Sequence, residues 1–309
     1  MMRERLMSLI IVLQLFYTVV IFMSASELSA FAQEDLLSHG SEEISSFLPE
    51  EGDKISNSTT TQLKSLIQET QVELNQTGAK LGVSLSIPKR ALEIHFNSAL
   101  QHNSASSAKW LWAAAALQFN SPQALERYAD PVFRNSDNAD AGKLIDFAGG
   151  IDKVNDYTRK LGISAQEWQL CTWGYGAPRT GKPCPVKRNL FTSSGGLKFL
   201  KKLHQGSLGL SSEKTAALIE WAKRAPKSGT GGWLLERLSP FSKAKASHKA
   251  GWIPAPIGFN TLNELGIVPL ENGDTLLIAV TIEGGNSFSK EELKLKELSQ
   301  KIAGILTHD

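Results

Sequence analysis

Residues 106–117 read SSAKWLWAAAAL, and this stretch anchors the reading of the whole chain. A Ser-x-x-Lys pattern, Ser106 to Lys109, opens a segment whose apolar residues recur at helical spacing. Residues three positions apart lie on the same face of a helix, so the Lys109 amine can reach the Ser106 hydroxyl. A lysine desolvated at the base of a cleft can lose its proton and activate a serine. Alone the pattern is weak evidence, because it also begins at four other serines of the chain.

Apolar periodicity on either side of this segment predicts a mixed α/β fold. Before it, an amphipathic helix that starts at Leu63 precedes strands at 81–87 and 92–96. After it, the signals are helical, and beyond Gly229 the period changes to two. The predicted helices span 106–119, 122–134, 138–148, 151–161, 195–204 and 212–224. The later strands are predicted at 245–252, 260–269 and 276–283, before a last helix at 289–305.

These strands are expected to form one antiparallel five-stranded sheet, since strands separated by a helical block can still pair. The two terminal helices would cover one face of the sheet. The helical block would form a second lobe across a cleft. The predicted fold is therefore two-lobed and α/β (α+β), with a sheet lobe over 63–105 and 240–309 and an all-helical lobe over 106–239.

The N-terminal residues have a separate character. Arg3 and Arg5 precede an apolar run over residues 6–23, and Ala30-Phe31-Ala32 supplies a small-x-small cleavage pattern. This is typical of a secretory signal peptide over residues 1–32, and the length of the run leaves an uncleaved anchor and membrane tether open. Both alternatives predict an extracytoplasmic location, periplasmic or secreted.

Charge and composition indicate a packed globular body behind a linker. The 309 residues hold 33 Lys and Arg against 31 Asp and Glu, and 41% are hydrophobic, which excludes global disorder. A single long apolar stretch excludes a polytopic membrane protein. Residues 33–62 carry seven acids and one base among Ser and Thr, which predicts an acidic linker. Residues 63–309 then hold 30 bases and 22 acids, a net +8 that suits an anionic ligand and gives nucleic acid no support.

Cysteine, histidine and tryptophan give weaker signals. Cys171 and Cys184 bound a segment rich in Gly and Pro, where an oxidising compartment permits a disulfide and two free thiols are the alternative. No metal-ligand spacing is present, so no metal or other cofactor is expected. Trp173 is interpreted as packing within this loop. His248 precedes Lys249 on a strand and is interpreted as packing on the opposite face.

Two further motifs follow Ser-x-x-Lys in order. Ser136-Asp137-Asn138 lies 30 residues after Ser106, between two predicted helices, and Lys249-Ala250-Gly251 lies on the first strand after the helical block. Ser-x-x-Lys, Ser-Asp-Asn and Lys-Thr-Gly in this order are the signature of class A β-lactamases and penicillin-binding proteins. The first motif on a helix and the third on a strand satisfy the requirements of that fold.

The chain therefore resembles the penicillin-recognising serine hydrolases, and specifically the class A β-lactamases, over residues 63–309. Three segments outside the motifs share the likeness: LIDFAGGIDKVNDYTRKLGI at 144–163, NLFTSSGGLKFLKKLHQG at 189–206 and NTLNELGIVPLENGDTLLIAVTIEG at 260–284. A class C enzyme would carry Tyr where this chain has Ser136. The resemblance implies a monomer that acts on a small-molecule β-lactam or a peptidoglycan stem peptide.

The resemblance also implies a role for each motif residue that acts on the reacting bond. Ser106 is the acylated nucleophile, and Lys109 is its base or proton relay. Ser136 passes a proton to the leaving nitrogen. The backbone N–H groups of Ser106 and Trp252 form the oxyanion hole, whose loss costs roughly 100-fold or more in rate.

Other motif residues are implied to hold the substrate. Asn138 binds its amide side chain, Lys249 binds its carboxylate, and Gly251 and Trp252 line the site. Glu167 is the candidate for the glutamate that activates the deacylating water in class A enzymes.

Three departures from the family pattern bear on activity. Ala250 stands where the family has a hydroxyl residue, so one donor to a substrate carboxylate, worth about 1.5–3 kcal/mol, is missing. The spacing from Ser106 to Ser136 is about half of the class A spacing, which predicts a more open cleft. The class A glutamate stands in a Glu-x-x-Leu-Asn pattern, whereas Glu167 is followed by Trp-Gln-Leu-Cys and comes sooner after Gly162 than the family's spacing allows. An alternative alignment of this segment leaves Gly174 at the position of the glutamate.

Three functions stay open on this basis. The first is a secreted β-lactamase that hydrolyses the β-lactam amide bond through Ser106. The second is a D-alanyl peptidase or penicillin-binding protein with slow deacylation. The third is a non-catalytic wall-associated protein on the same fold.

Overall fold

The computed structural model describes residues 54–174, 179–182, 188–229, 231–254 and 260–308. The predicted signal segment 1–32 and Cys184 lie outside these residues. Within the described part, no helix is both long enough and apolar enough to cross a membrane. The apolar run 6–23 lies outside that part, so the predicted tether stays a prediction.

Ten strands occur in the described part of the chain, and five of them form one antiparallel sheet in the order β2-β1-β10-β9-β8. The strands are β1 Lys80–Ile87, β2 Leu92–Phe96, β3 His102–Asn103, β4 Trp168–Gln169, β5 Thr172–Trp173, β6 Arg179–Thr180, β7 Leu190–Phe191, β8 Ser247–Ile253, β9 Thr261–Pro269 and β10 Thr275–Glu283. All five predicted strands are present, and the predicted five-stranded antiparallel sheet is confirmed. Its register pairs Val83 with Val280 and Trp252 with Leu262.

Helices of the described part follow the predicted order. They are α1 Asn57–Asn75, α2 Lys109–Leu117, α3 Pro122–Arg134, α4 Asn138–Phe147, α5 Ile151–Lys160, α6 Ser193–His204, α7 Ser212–Lys223, α8 Trp233–Glu236, α9 Pro240–Lys245 and α10 Phe288–Thr307. Apolar periodicity does not predict the short helices α8 and α9, because segments of four to six residues are too short to show a helical period.

The first helix corrects the boundary of the predicted linker, 33–62. Helix α1 begins at Asn57, and the Ser56 hydroxyl accepts the backbone N–H of Thr59 at 3.0 Å as an N-cap. Residues 57–62 are therefore helical. Their polar first turn hides the helix from an apolar periodicity argument, which starts only at Leu63.

Apolar side chains are packed on both faces of the central sheet. Along β10, Leu277 and Ala279 belong to a cluster with helices α2 to α7, whereas Leu276 and Ile278 belong to a cluster with α1, α8 and α10. This alternation is the period-two pattern of a strand covered on both sides. The predicted cover of one face by the two terminal helices is confirmed.

Helix α8 shifts the boundary of the predicted helical lobe, 106–239. Its residues Trp233, Leu234 and Leu235 are buried in the cluster of the terminal helices rather than in the helical block. Trp233 also packs edge-on against Trp252 of strand β8, at 5.7 Å between ring centroids. Residues 233–239 therefore belong with the sheet and the terminal helices.

Helix α2 runs through the centre of the helical cluster. All nine of its residues are buried, including the charged Lys109. A helix that is apolar all round is stable only inside a core. This burial fixes the position of its first residue, Lys109.

The segment between α5 and α6 is held by short strands rather than by long ones. Strand β7 pairs with both β3 and β4, and β5 pairs with β6. Cys171 is disulfide-bonded, as the sequence allows, and its predicted partner Cys184 lies outside the described residues. These pairings hold Trp173 in place beside helix α4.

Candidate active site

The segment that carries Ser106 enters helix α2 through a 3-10 turn over Ala105–Ala108. The backbone N–H of Lys109 donates to the carbonyl of Ser106. In a 3-10 turn the side chains at i and i+3 eclipse, so this turn favours Ser106 and Lys109 on one face. The hydrogen bonds of the Lys109 amine among the described residues go to Ser136 and Asn138 rather than to the Ser106 hydroxyl. Ala105 has a φ of 43°, a left-handed conformation that a non-glycine residue rarely adopts. The half-buried Ser106 thus follows a strained residue, a feature typical of functional sites.

Three side chains hold the approach to this turn. Glu283 of β10 accepts the backbone N–H of Asn103 at 2.6 Å, and Asn263 of β9 donates to the Asn103 carbonyl at 2.5 Å. The Asn103 side chain accepts the N–H of Ala105 at 3.0 Å. Sequence reasoning misses Glu283 and Asn263, since no local motif marks them and only the sheet brings them to residue 103.

Helix α4 begins at the second motif. The Asp137 carboxylate accepts the N–H of Asp140 at 2.8 Å, so it caps the helix and places Asn138 at the first helical position. Ser136 has a φ of 56°, which turns its carbonyl and its hydroxyl toward the same neighbour, Lys109. The motif is therefore a helix cap flanked by two residues that face one amine.

The Lys109 amine is fully buried and makes three hydrogen bonds to this motif. It donates to the Ser136 carbonyl at 2.5 Å and to the Asn138 side-chain oxygen at 2.6 Å, and it lies 3.2 Å from the Ser136 hydroxyl, which can donate to it when the amine is neutral. A buried amine without such partners would be strongly destabilising. The structure thus joins Lys109, Ser136 and Asn138, which the sequence predicts as one site.

Lys249 reaches the same hydroxyl from strand β8. Its amine donates to Ser136 Oγ at 3.1 Å and to the carbonyl of Ala250 at 2.8 Å. Only 3% of the residue is exposed. We name Lys109, Ser136, Asn138 and Lys249 the lysine cluster.

Burial is the main cause of the pKa shifts of both amines in the lysine cluster. It lowers the pKa of Lys109 to about 6, with the charge of Lys249 acting in the same direction and that of Asp137 opposing it. Burial lowers the pKa of Lys249 to about 7 against the opposing charge of Glu264. Near pH 7, Lys109 is therefore mostly a neutral amine that can take a proton.

Gly251 brings the third motif against the nucleophile. A Cβ at this position would lie 2.4 Å from the backbone nitrogen of Ser106 and 2.3 Å from that of Ser107, so only glycine fits here. Strand β8 is an edge of the sheet, and alternate N–H groups of an edge strand have no strand partner. This edge carries Trp252, the second predicted oxyanion donor, which is half-buried.

The residues on either side of Lys249 belong to the opposite face of β8. Ala250, which stands in place of a hydroxyl residue, is 1% exposed and packs in the cluster of the terminal helices. His248 is fully buried, and its Nδ1 lies 2.7 Å from Glu264 Oε1. Glu264 Oε2 also accepts the N–H of Leu234 at 2.9 Å. The interpretation of His248 as a packing residue agrees with this position.

The structure does not bring Glu167, the predicted deacylation base, to the lysine cluster. Its carboxylate accepts the N–H of Ser164 at 2.9 Å, pairs with Lys198 at 2.7 Å and lies 3.3 Å from the Ser194 hydroxyl. Burial acts to raise the pKa of Glu167, but hydrogen bonds from Lys198 and Ser164 outweigh it and hold the pKa below the usual value. None of these three partners is bonded to Lys109 among the described residues.

The reason for these contacts of Glu167 is visible in the sequence. Ser164 precedes Glu167 by three residues, which is the spacing of a capping box, in which the carboxylate turns back to its own turn. The chain then runs into strand β4, and Gly174 follows Trp173 with no carboxylate at that position.

The sequence favours loop packing for Trp173, and the structure places this residue in the site instead. Its indole N–H donates to the carbonyl of Asn138 at 3.0 Å. The ring centroid lies 5.6 Å from the Lys109 amine and 4.7 Å from the ring of Trp112. No signal in the sequence indicates this contact, because the loop that carries Trp173 has no periodicity.

No group of three or more His, Cys, Asp or Glu residues in the described part of the chain is arranged to hold a metal ion. The chemistry available in the lysine cluster is that of amines and hydroxyls: proton transfer from a nucleophile and binding of an anionic group.

A model of the "β-lactamase enzyme family" matches residues 123–306, which is more than half of the chain. The chain belongs to this β-lactamase family. The match includes Ser136 and Lys249 and begins after Ser106 and Lys109. A search of curated protein sequences finds no match.

Solved structures of class A β-lactamases share the fold of this β-lactamase family member. The TLA-3 extended-spectrum β-lactamase is 20% identical with a TM-score of 0.66, and the alignment covers 79% of this chain and 99% of that one. A class A β-lactamase from Bacteroides cellulosilyticus is 19% identical with a TM-score of 0.63, covering 80% and 98%. An ancestral class A β-lactamase is 17% identical with a TM-score of 0.65, covering 77% and 99%.

Proposed function

We propose that this β-lactamase family protein opens β-lactams by acylation of Ser106 and releases the opened product slowly. The observation that carries the proposal is the lysine cluster. Two buried amines meet at the Ser136 hydroxyl, and one of them lies a single 3-10 turn after Ser106. Such a pair supplies both a neutral base and a positive charge for a carboxylate.

Acylation begins with proton transfer to the neutral Lys109 amine from the Ser106 hydroxyl. The Ser106 oxygen then forms a bond to the lactam carbonyl carbon, and the carbonyl oxygen takes the negative charge. The N–H groups of Ser106 and Trp252 stabilise that oxyanion, because preorganised donors act where charge develops. Ser136 relays the proton to the lactam nitrogen as the C–N bond breaks, which leaves an ester on Ser106.

Substrate binding uses the charged form of Lys249. A protonated Lys249 amine attracts the carboxylate of a β-lactam or of a stem peptide. Asn138 forms a hydrogen bond with the amide side chain of the substrate. Ala250 supplies no hydroxyl, and its side chain packs in the cluster of the terminal helices, so the proposed carboxylate binding rests on Lys249.

Deacylation is the step for which the chain has the fewest candidate catalytic groups. A water molecule must add to the ester and release Ser106, and this needs a base placed beside that water. Glu167 is occupied by Ser164 and Lys198, and residue 174 is glycine. This favours a second candidate function, a D-alanyl peptidase or penicillin-binding protein, whose β-lactam adduct is long-lived.

The proposed setting is outside the cytoplasm, where β-lactams and peptidoglycan stem peptides are met. The supporting feature is the N-terminal sequence, with Arg3 and Arg5 before the apolar run 6–23. We propose residues 1–32 as its signal and the segment that follows as a tether to the body, which acts as a monomer.

Intact-mass spectrometry after exposure to benzylpenicillin tests the proposal. We expect an increase equal to the whole penicillin mass, on the peptide that contains Ser106, and its decay measures deacylation. Ser106→Ala should give no adduct. Ser211→Ala is the matched control, because Ser211 begins another Ser-x-x-Lys and caps helix α7. A wild-type protein that neither forms an adduct nor hydrolyses benzylpenicillin would overturn the proposal and leave a non-catalytic role. An adduct that survives in Ser106→Ala would overturn Ser106 as the nucleophile, and hydrolysis without a detectable adduct would overturn the slow release.

A further inference from the structure

Trp173 is an aromatic side chain that contacts two members of the lysine cluster. Its N–H donates to the Asn138 carbonyl at 3.0 Å, and its ring lies over the Lys109 amine with 5.6 Å between Nζ and the centroid. The ring is 8% exposed and is held edge-on by Trp112 at 4.7 Å and 72°. The indole is thus fixed on both sides.

An indole at this place acts on Lys109 in two opposing ways. Cation–π attraction favours the ammonium form by about 0.5–1 kcal/mol at exposed sites and by more at desolvated sites. It becomes weak when the cation is about 6 Å from the ring centroid. Exclusion of water favours the neutral amine, and full burial can shift a lysine pKa by several units. At 5.6 Å the first effect is near its limit, and Lys109 is fully buried, so exclusion of water prevails.

We propose that Trp173 is a positioning residue that keeps water from the Lys109 amine and holds Asn138 against it. This rests on the proposed function, in which Lys109 takes the proton of Ser106. The arrangement also gives the loop after α5 a role in acylation, although that loop places no carboxylate at Gly174.

Two charged groups also act on the pKa of Lys109. Lys249 faces it from strand β8 and opposes its protonation, whereas Asp137, from the turn before α4, favours it. Trp173→Ala changes neither of these charges. Loss of the cation–π contact can only lower the pKa of Lys109, so a rise in that variant reports on water and on Asn138.

The test compares Trp173→Ala and Trp173→Phe by the pH dependence of Ser106 acylation with a fluorescent penicillin. In Trp173→Ala, we expect the acidic midpoint to rise by about two pH units and the rate at pH 7 to fall about tenfold, because water then stabilises the ammonium. Trp173→Phe keeps a smaller aromatic ring at this place and loses the N–H. We expect it to keep the midpoint and to weaken substrate binding several-fold, roughly what one lost hydrogen bond gives.

Trp168→Phe is the matched control, since Trp168 is a buried tryptophan of the neighbouring strand β4 that packs on Phe191 and Phe199 instead. Its pH profile should equal that of the wild type. An unchanged midpoint in a folded Trp173→Ala, or the same shift in Trp168→Phe, would overturn the inference.

A second readout separates this inference from the proposed function. In protein labelled with carbon-13 at the lysine ε-carbon, the Lys109 signal is assigned by its loss in Lys109→Met and titrated by NMR. The midpoint should rise in Trp173→Ala even if no penicillin adduct ever forms. An absent adduct then refutes the proposed function, whereas an unmoved midpoint refutes the role of Trp173.

Discussion

The amines of Lys109 and Lys249 lie within hydrogen-bond distance of the same oxygen, the hydroxyl of Ser136, at 3.2 and 3.1 Å. Two ammonium groups this close repel each other, so the arrangement is stable only if at least one amine is neutral. Burial lowers the pKa of both lysines, to about 6 for Lys109 and about 7 for Lys249. The place of Lys109 one turn after Ser106 assigns it the role of proton acceptor, and Lys249, on strand β8 beside Gly251, has the role of bound charge.

We predict a bell-shaped pH dependence for Ser106 acylation measured as the second-order rate constant. Below about pH 6, Lys109 is protonated and cannot accept a proton, so the rate falls about tenfold per unit. Above about pH 7, Lys249 loses the charge that holds the carboxylate, and the rate falls again. Stopped-flow fluorescence with a labelled penicillin measures both limbs. A rate that continues to rise to pH 9 would contradict the role given to Lys249.

We predict that the buried Lys109 makes the stability of the wild type depend on pH. Its pKa is lower in the folded chain than in the unfolded one, so the unfolded state binds more protons between about pH 6 and 10. Stability therefore rises with pH in this window. Relative to Lys109→Met, the wild type should gain up to about 1.4 kcal/mol per pH unit. Urea unfolding of both proteins at pH 7 and pH 9 measures the difference, and parallel pH dependence would count against the buried neutral amine.

Gly251→Ala is predicted to abolish acylation and to destabilise the fold. The added Cβ meets the backbone nitrogens of Ser106 and Ser107 at 2.4 and 2.3 Å, so strand β8 or the nucleophile must move. We expect a loss of about 100-fold or more in the acylation rate, the order seen when an oxyanion donor is displaced. Gly266→Ala is the control on the adjacent strand, where a Cβ would make ordinary contacts at 3.4 Å and beyond. Mass spectrometry and thermal unfolding would show both variants unaffected if the close approach were unimportant.

Glu264→Gln is predicted to move the alkaline limb of the profile to lower pH. The Glu264 charge raises the pKa of Lys249, so its removal lets that amine lose its proton sooner. The variant also weakens the contacts to His248 and Leu234, at a cost of about 1.5–3 kcal/mol in unfolding free energy. The pH profile and urea unfolding are measured together. Glu236→Gln, which loses an ion pair with Lys296 near the surface, should leave the profile unchanged.

Glu167→Gln is predicted to leave the lifetime of the acyl-enzyme within about twofold of the wild type. The Glu167 carboxylate is bonded to Ser164 and Lys198 and is not in the lysine cluster. Loss of this half-exposed ion pair should cost no more than about 1 kcal/mol. The decay of the penicillin adduct by intact mass measures the lifetime. A lifetime lengthened tenfold or more would restore Glu167 as the deacylation base.

Much of the fold can be predicted because its signals are local. The strand at 81–87 alternates, the strand at 276–283 is almost continuously apolar, and helix α3 has a Pro near its start and a Ser cap. The start of α1 at Asn57 cannot be found in this way, since its first turn is polar. Helix α8 is hidden for a different reason, because four residues give no period.

The three motifs can also be found without the structure, because each has a fixed spacing along the chain. Their meeting at the Ser136 hydroxyl can only be expected by resemblance. Spacing alone cannot settle the role of Glu167, since a glutamate with a family-like spacing can equally cap its own turn through Ser164.

The sequence by itself determined which residues are candidates to carry the chemistry, Ser106, Lys109, Ser136 and Lys249, and on which kind of element each stands. The tertiary structure decided their protonation and their neighbours. Burial of Lys109 depends on helix α2 lying inside a core, and Trp173 reaches it only because the loop after α5 is folded back by pairing with distant strands. A pKa is set by the water and charge within a few ångströms of a group, and these come from residues far apart in the chain.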